Sequence, residues 1–242
     1  MRYAAAKKGR AMDIFDILGP VMVGPSSSHT AGAARIGNMA RALLGGAAVK
    51  ARIHLHGSFA ETGAGHGTDR ALVGGLLGMK PDDLRLPFAF EEAEKAGLDY
   101  TVDTVDLRDA HPNTAVMEVW DKAGRYLKMQ ASSLGGGRIM VDELDGIAVG
   151  FDGEYNTLVV RNKDIFGAVA SVTGRLSRMR INVANMRLCR RQRGTDALMV
   201  IETDQHLRPQ QVAELRTLDG VLSVTYYDKE EDEYAAFDEM DH

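Results

Sequence analysis

From Tyr155 to Tyr227 the hydrophobic pattern runs strand, helix, strand, strand, helix, strand, and few folds accept that order. Thr157–Arg161, Val183–Arg191, Ala197–Thr203 and Val221–Tyr227 read as strands. Ile165–Met179 carries Ile165, Val169, Val172, Leu176 and Met179 at helical spacing, and Pro209–Leu218 opens with proline in its first turn. Arg193-Gly194-Thr195-Asp196 turns between the middle strands. Two split βαβ pairs of this kind give a ferredoxin-like plan. Asp152-Gly153-Glu154 reads as a linker, so the chain divides into 13–151, 154–228 and an acidic tail, 229–242. The fold class is α+β. Met12 is a candidate start beside Met1.

Three glycine-rich polar loops punctuate the first part. Gly24-Pro25-Ser26-Ser27-Ser28-His29-Thr30 precedes an alanine-rich helix, Ala31–Leu44, with Ser28 or Thr30 as its N-cap. Val49–His56 alternates as a half-buried strand. Gly57–Asp69 reads as the second loop, before helices over Arg70–Met79 and Phe88–Ala96. Tyr100–Leu107, Ala115–Asp121 and Tyr126–Ser133 read as strands. Ser132–Gly137 is the third loop, followed by strands Arg138–Val141 and Gly146–Phe151.

The first loop sets four hydroxyls and an imidazole at a helix start, where free N–H groups favour an anion. The plainer alternative is a serine-rich capping turn. With no Lys or Arg inside it, a carboxylate suits the loop better than a polyphosphate, and the Gly-Lys-Ser/Thr ending of a P-loop is missing. His54 and His56 share a strand face, where a metal pair or two ordinary strand residues both fit.

Composition narrows the function. The one cysteine, Cys189, excludes an internal disulfide and any all-cysteine metal site, and it reads as a small buried apolar residue. Net charge is −5, and the segment Asp228–His242 carries −7 of it, which leaves no basic bias for nucleic acid. No apolar run approaches a membrane span and the N-terminus lacks a secretory core, so the expected location is cytoplasmic.

Ile14–Pro20, Gly24–Thr30, His56-Gly57-Ser58, Gly65-His66-Gly67-Thr68-Asp69 and Gly135-Gly136-Gly137, in this order, resemble the β subunit of iron–sulfur-dependent L-serine dehydratase. That β domain is in turn similar to the anion-binding domain of some phosphoglycerate dehydrogenases. Asn162–Gly167 and Asn182-Val183 resemble an ACT domain, with Phe166 where proline is commonest. The resemblance implies an L-serine ammonia-lyase of amino-acid catabolism and gluconeogenesis, forming pyruvate and ammonia. It implies a 4Fe–4S cluster held by three cysteines of a partner α subunit, and no metal ligands here. It implies that L-serine is bound by Ser26, Ser27, Ser28, His29, Thr30, His56, Gly57, Ser58, His66, Thr68 and Asp69, with His29 the candidate proton carrier. It implies ACT-mediated dimerisation, with Asp164, Gly167 and Asn182 as regulatory positions.

Two rivals compete with this reading. One is a non-catalytic regulatory module that binds an amino acid or anion. The other is RNA binding, suggested by seven arginines from Arg175 to Arg193. Against RNA, the candidate central strands carry no stacking aromatic, and the arginines read as a solvated face.

Overall fold

The computed structural model describes residues 21–229. The Ile14–Pro20 motif, both candidate starts and the tail beyond Lys229 lie outside the described residues. The fold is mixed α/β with two sheets.

The first sheet has strands β1 (Ala48–Leu55), β2 (Asp99–Thr104), β3 (Thr114–Asp121), β4 (Tyr126–Gly135), β5 (Arg138–Leu144) and β6 (Ile147–Phe151). Their order is β2–β1–β3–β4–β5–β6. Only the β1–β2 pair is parallel, which requires a crossover, and helices supply it. Helix α1 (Ala33–Leu44) precedes β1. Between β1 and β2 come α2 (Ser58–His66), α3 (Thr68–Leu76) and α4 (Ala89–Ala96). Ile36 and Met39 of α1 and Leu72 and Leu76 of α3 are buried with Ile53, Met117 and Met129 of the sheet. Fully burying side chains of this size contributes about 1.5–3 kcal/mol each.

Helices α1 and α3 touch at Gly37 and Gly75. Thr30 meets His66 at one end of the pair. At the other, Asn38 Nδ2 donates to the Met79 carbonyl (2.7 Å) and Arg41 to that of Leu76 (3.2 Å). The two helices therefore run in the same sense, with both starts at one end.

The second sheet has β7 (Asn156–Lys163), β8 (Val183–Arg190), β9 (Asp196–Thr203) and β10 (Val221–Tyr227), ordered β10–β7–β9–β8 and antiparallel throughout. Helices α5 (Ala168–Arg178) and α6 (Pro209–Arg216) bury Val172, Leu176 and Leu215 against Leu158, Val160, Met199 and Ile201. Val159, Leu198, Val200 and Tyr227 belong instead to the core of the first sheet, so the two sheets share one interior. Arg161 pairs with Asp145, Arg187 donates to the Val149 carbonyl (3.1 Å), and Arg191 donates to that of Gly146 (3.2 Å). Two of the arginines read as a solvated face, Arg187 and Arg191, thus fasten the sheets together.

Other expectations need correction. Gly57–Asp69 is helical, not a loop. Gly67, at φ +70°, closes α2 and opens α3, a left-handed joint that glycine adopts without penalty. The third loop is mostly strand. β4 continues to Gly135, and Gly136 and Gly137, both at positive φ, make a two-residue hairpin turn. Helix α5 begins at Ala168, because Asp164–Gly167 forms a turn instead. Cys189 is half-buried.

Candidate functional site

The first helical turn, Ser27–Gly32, is wound in the wider π pattern before α1. Such turns recur at functional positions. Its N-cap is Ser26, not Ser28 or Thr30: the Ser26 hydroxyl accepts the His29 backbone N–H at 3.2 Å.

His29 is the hub. It is 9% exposed, edge-on to Phe59 and 5.1 Å from the His66 ring. On one side Nδ1 lies 3.1 Å from the Ser28 hydroxyl and 3.4 Å from that of Ser26. On the other, Nε2 lies 3.2 Å from the Ser58 hydroxyl and 3.0 Å from that of Thr62. Thr62 donates its single proton to the Ser58 carbonyl at 2.9 Å. The imidazole is therefore the donor to Thr62, the proton sits on Nε2, and the Nδ1 lone pair faces Ser26 and Ser28. Burial pushes the His29 pKa below its ordinary value, the Ser58 backbone acts in the opposite sense, and the nearby His66 adds to the lowering.

The structure gathers Ser26, Ser28, His29, Thr30, Ser58 and His66. Thr30 donates to the His66 carbonyl at 3.2 Å. Ser27 is half-buried beside them. Other candidates stand apart. The His56 ring accepts the Leu107 N–H at 3.2 Å, Asp69 accepts the Arg70 N–H, and the Thr68 hydroxyl is buried with no hydrogen-bond partner among the described residues. His54 pairs with Asp103. Gly57 packs on Pro112 at the start of α2.

Two residues that sequence reasoning missed join the site. Thr62 is one helical turn beyond Ser58, so the i, i+4 spacing was the available signal, hidden by reading the segment as a loop. Arg70 lines a cavity of about 300 Å³ with Gly24, Pro25, Thr30, His66 and Gly67. Its guanidinium lies over Phe90, 5.0 Å from the ring centre. A second cavity, about 430 Å³, lies between the sheets and contains none of the candidate residues. Its Arg125 and Arg161 are paired with Asp121 and Asp145, and Arg216 donates to the Val224 carbonyl.

The regulatory candidates separate. The Asp164 carboxylate takes the Gly194 N–H (3.0 Å) and Arg190 (2.6 Å) beside Gly167. Asn182 donates to Asp204 and Gln205 near the far end of β9. Lys163 pairs with Asp196 and Val183 with Thr203, so the two groups sit about 23 Å apart at 3.3 Å per residue.

An iron–sulfur cluster does not fit the described residues. Cys189 stands alone on β8, its thiol pKa pushed up by burial, and no three His, Cys, Asp or Glu side chains among the described residues could hold a metal. No helix among them is long and apolar enough to cross a membrane.

Residues 11–104 match the family described as Serine dehydratase beta chain. The chain is 43% identical to the probable L-serine dehydratase beta chain of Bacillus subtilis, over 88% of this chain and 96% of that one. It is 39% identical to the L-serine dehydratase beta chain of Peptoniphilus asaccharolyticus, over 80% and 87% respectively. A solved ACT domain from the GTP pyrophosphokinase of Chlorobium tepidum covers 30% of this chain and 95% of its own, at 22% identity and a TM-score of 0.24. A score that low carries no structural weight.

Proposed function

The chain belongs to the L-serine dehydratase β-chain family, and from that premise we propose how its residues serve the conversion of L-serine to pyruvate and ammonia. It works as the β chain of a two-subunit enzyme with an α chain as partner. The 4Fe–4S cluster that the sequence resemblance implies belongs to that α chain, where it supplies Lewis acidity for loss of the serine hydroxyl.

The observation that carries the reading is His29: a buried, neutral imidazole clamped between two helix starts beside a cavity of about 300 Å³. The N-termini of the Ser27 turn and of α3 favour the substrate carboxylate, and Arg70 adds a cation at the cavity wall. Thr30 lines the cavity, and Ser26, Ser27 and Ser28 precede it in the same turn. The Nδ1 lone pair of His29 accepts the α-proton, and Ser58 and Thr62 hold the ring from Nε2. Small side chains around the imidazole leave room for serine.

The C-terminal unit serves as an ACT domain that pairs with a second copy and senses serine. The support is an apolar patch of Ile165, Phe166 and Val169, all exposed beside the Asp164–Gly167 turn. Phe166→Asp is expected to halve the mass of the sedimenting assembly, and an unchanged mass removes this pairing.

The main test is anaerobic coexpression with a cysteine-bearing α chain. The pair is expected to copurify and form pyruvate from serine, while the β chain by itself carries no cluster. Stoichiometric iron and sulfide in the isolated β chain, or failure to associate, overturns the two-subunit reading.

A further inference from the structure

A second polar cluster lies across the sheet from the helices. Thr114 of β3 and Ser132 of β4 face each other across the strand pair, and Asp142 of β5 adjoins them. Thr114 and Ser132 are almost fully buried. Three short contacts link the group into one line. The Thr114 hydroxyl donates to the His111 carbonyl at 2.6 Å, the two hydroxyls are 2.8 Å apart, and Ser132 and Asp142 Oδ2 are 2.7 Å apart.

Counting protons decides the direction. The His111 carbonyl can only accept, so it takes the single proton of Thr114. The Thr114 oxygen must then receive from Ser132, whose only proton is thereby committed. Were Asp142 ionised, Ser132 would have to donate to it, and the 2.8 Å contact would be two oxygens with no proton between them. We propose that Asp142 is carried as the neutral carboxylic acid and heads a one-way chain, Asp142–OH to Ser132 to Thr114 to the His111 carbonyl, that holds the His111–Asn113 loop in place.

That loop is the seat of α2. The Pro112 carbonyl accepts the Phe59 N–H at 3.4 Å, and a Cβ on Gly57 would meet that same oxygen at 2.7 Å. The next residue is Ser58, whose hydroxyl faces His29. Asp142 is thus a positioning residue that reaches the imidazole only through Ser132, Thr114, the His111–Asn113 loop and Ser58. Burial is the largest influence on the Asp142 carboxyl pKa and pushes it up; His111 acts in the opposite sense, as the Ser132 hydroxyl would if it donated. Among the described residues His111 is the titratable group whose field reaches it. Asp142 falls at the register shift between Val141 and Glu143, and the partners of those two residues, Ala131 and Gln130 on β4 and Phe151 and Ala148 on β6, carry no charge.

The protonation state is tested on the full chain alone, apart from the dehydratase reading; the positioning role rests on that reading. In a carbon-13 carboxyl NMR titration Asp142 is expected to lose its proton well above the ordinary aspartate value of about 3.9. A group raised on folding contributes stability that is complete below that value and lost as pH rises through its folded pKa. Asp142→Asn keeps a donor towards Ser132, so its melting temperature is expected to match wild type at low pH and exceed it by about 2–4 °C at pH 8. Ser132→Ala, which cuts the chain, is expected to lower the Asp142 pKa, because the neutral acid loses its acceptor; a rise instead shows that Ser132 donates to an ionised Asp142 and overturns the chain. In the assembled enzyme wild-type kcat/KM is expected to fall as pH rises through the Asp142 pKa, and Asp142→Asn is expected to retain the low-pH value and remove that fall. Ionisation of Asp142 at the ordinary pKa, or an Asp142→Asn variant less stable than wild type at pH 8, overturns the protonated acid. A raised Asp142 pKa together with the same pH–rate profile in wild type and Asp142→Asn overturns the positioning role alone.

Discussion

Gly37 and Gly75 face each other so closely that a methyl group on either would strike backbone, at 2.3 Å from the Leu72 carbonyl for one and 2.2 Å from the Ala34 carbonyl for the other. This joint brings the starts of α1 and α3 to one place. Gly37→Ala therefore has no flexible neighbour to yield. It is expected to cost about 1–3 kcal/mol of stability and to lower kcat/KM by separating Thr30 from His66. A melting curve checks the first effect, and a Tm equal to wild type refutes the close joint.

His29 is expected to stay neutral below the pH at which an ordinary histidine, near 6.5, takes up a proton. With its folded pKa depressed, its contribution to stability is complete above pH 6.5 and lost as pH falls through the folded value. Nitrogen-15 NMR of the imidazole reads both the titration and the tautomer. A protonated Nδ1 in the neutral ring contradicts the bonding scheme drawn from Thr62.

Ser26 and Ser28 should separate cap from chemistry. Ser26→Ala removes the helix cap and is expected to cost about 1 kcal/mol in a melting experiment. Ser28→Ala leaves the cap intact. If its hydroxyl bonds the substrate carboxylate, kcat/KM in the assembled enzyme falls roughly 10- to 150-fold. Wild-type kinetics in both variants reduces this loop to a capping turn.

Cys189 is expected to react slowly with iodoacetamide at pH 7, because burial keeps the thiol protonated. Denaturation should bring its rate up to that of a free thiol. Fast labelling of the folded chain contradicts this.

The sequence order of the second sheet was readable because each of its strands and helices has its own period and its own breaker. Pro209 marks a helix start and Gly194 a turn, and both stand where local rules put them. The segment from Gly57 to Asp69 was not readable. Its glycines and hydroxyls look like a loop, yet Gly63 stands where a Cβ would press on Thr68 at 3.3 Å, a packing demand that composition does not express. The same misreading concealed Thr62. His29 and the serines around it were visible as a motif, but which of them meet was decided by α2, whose start depends on the distant Pro112. Arg70 was passed over for a related reason: it stands one helical turn beyond His66 only because Gly67 joins α2 directly to α3, where the sequence reads as a loop. Asn182 and Gly167, linked by resemblance, stand at opposite ends of a strand, a distance no local pattern encodes.

The interior shared by the two sheets has a consequence for how the chain is made. Val159, Leu198, Val200 and Tyr227 complete the packing of helices and strands that leave the ribosome well before them. Synthesis is slow beside local folding. The first sheet therefore waits with part of its apolar face uncovered until the final strand has emerged, and the finished protein is expected to melt in one cooperative transition.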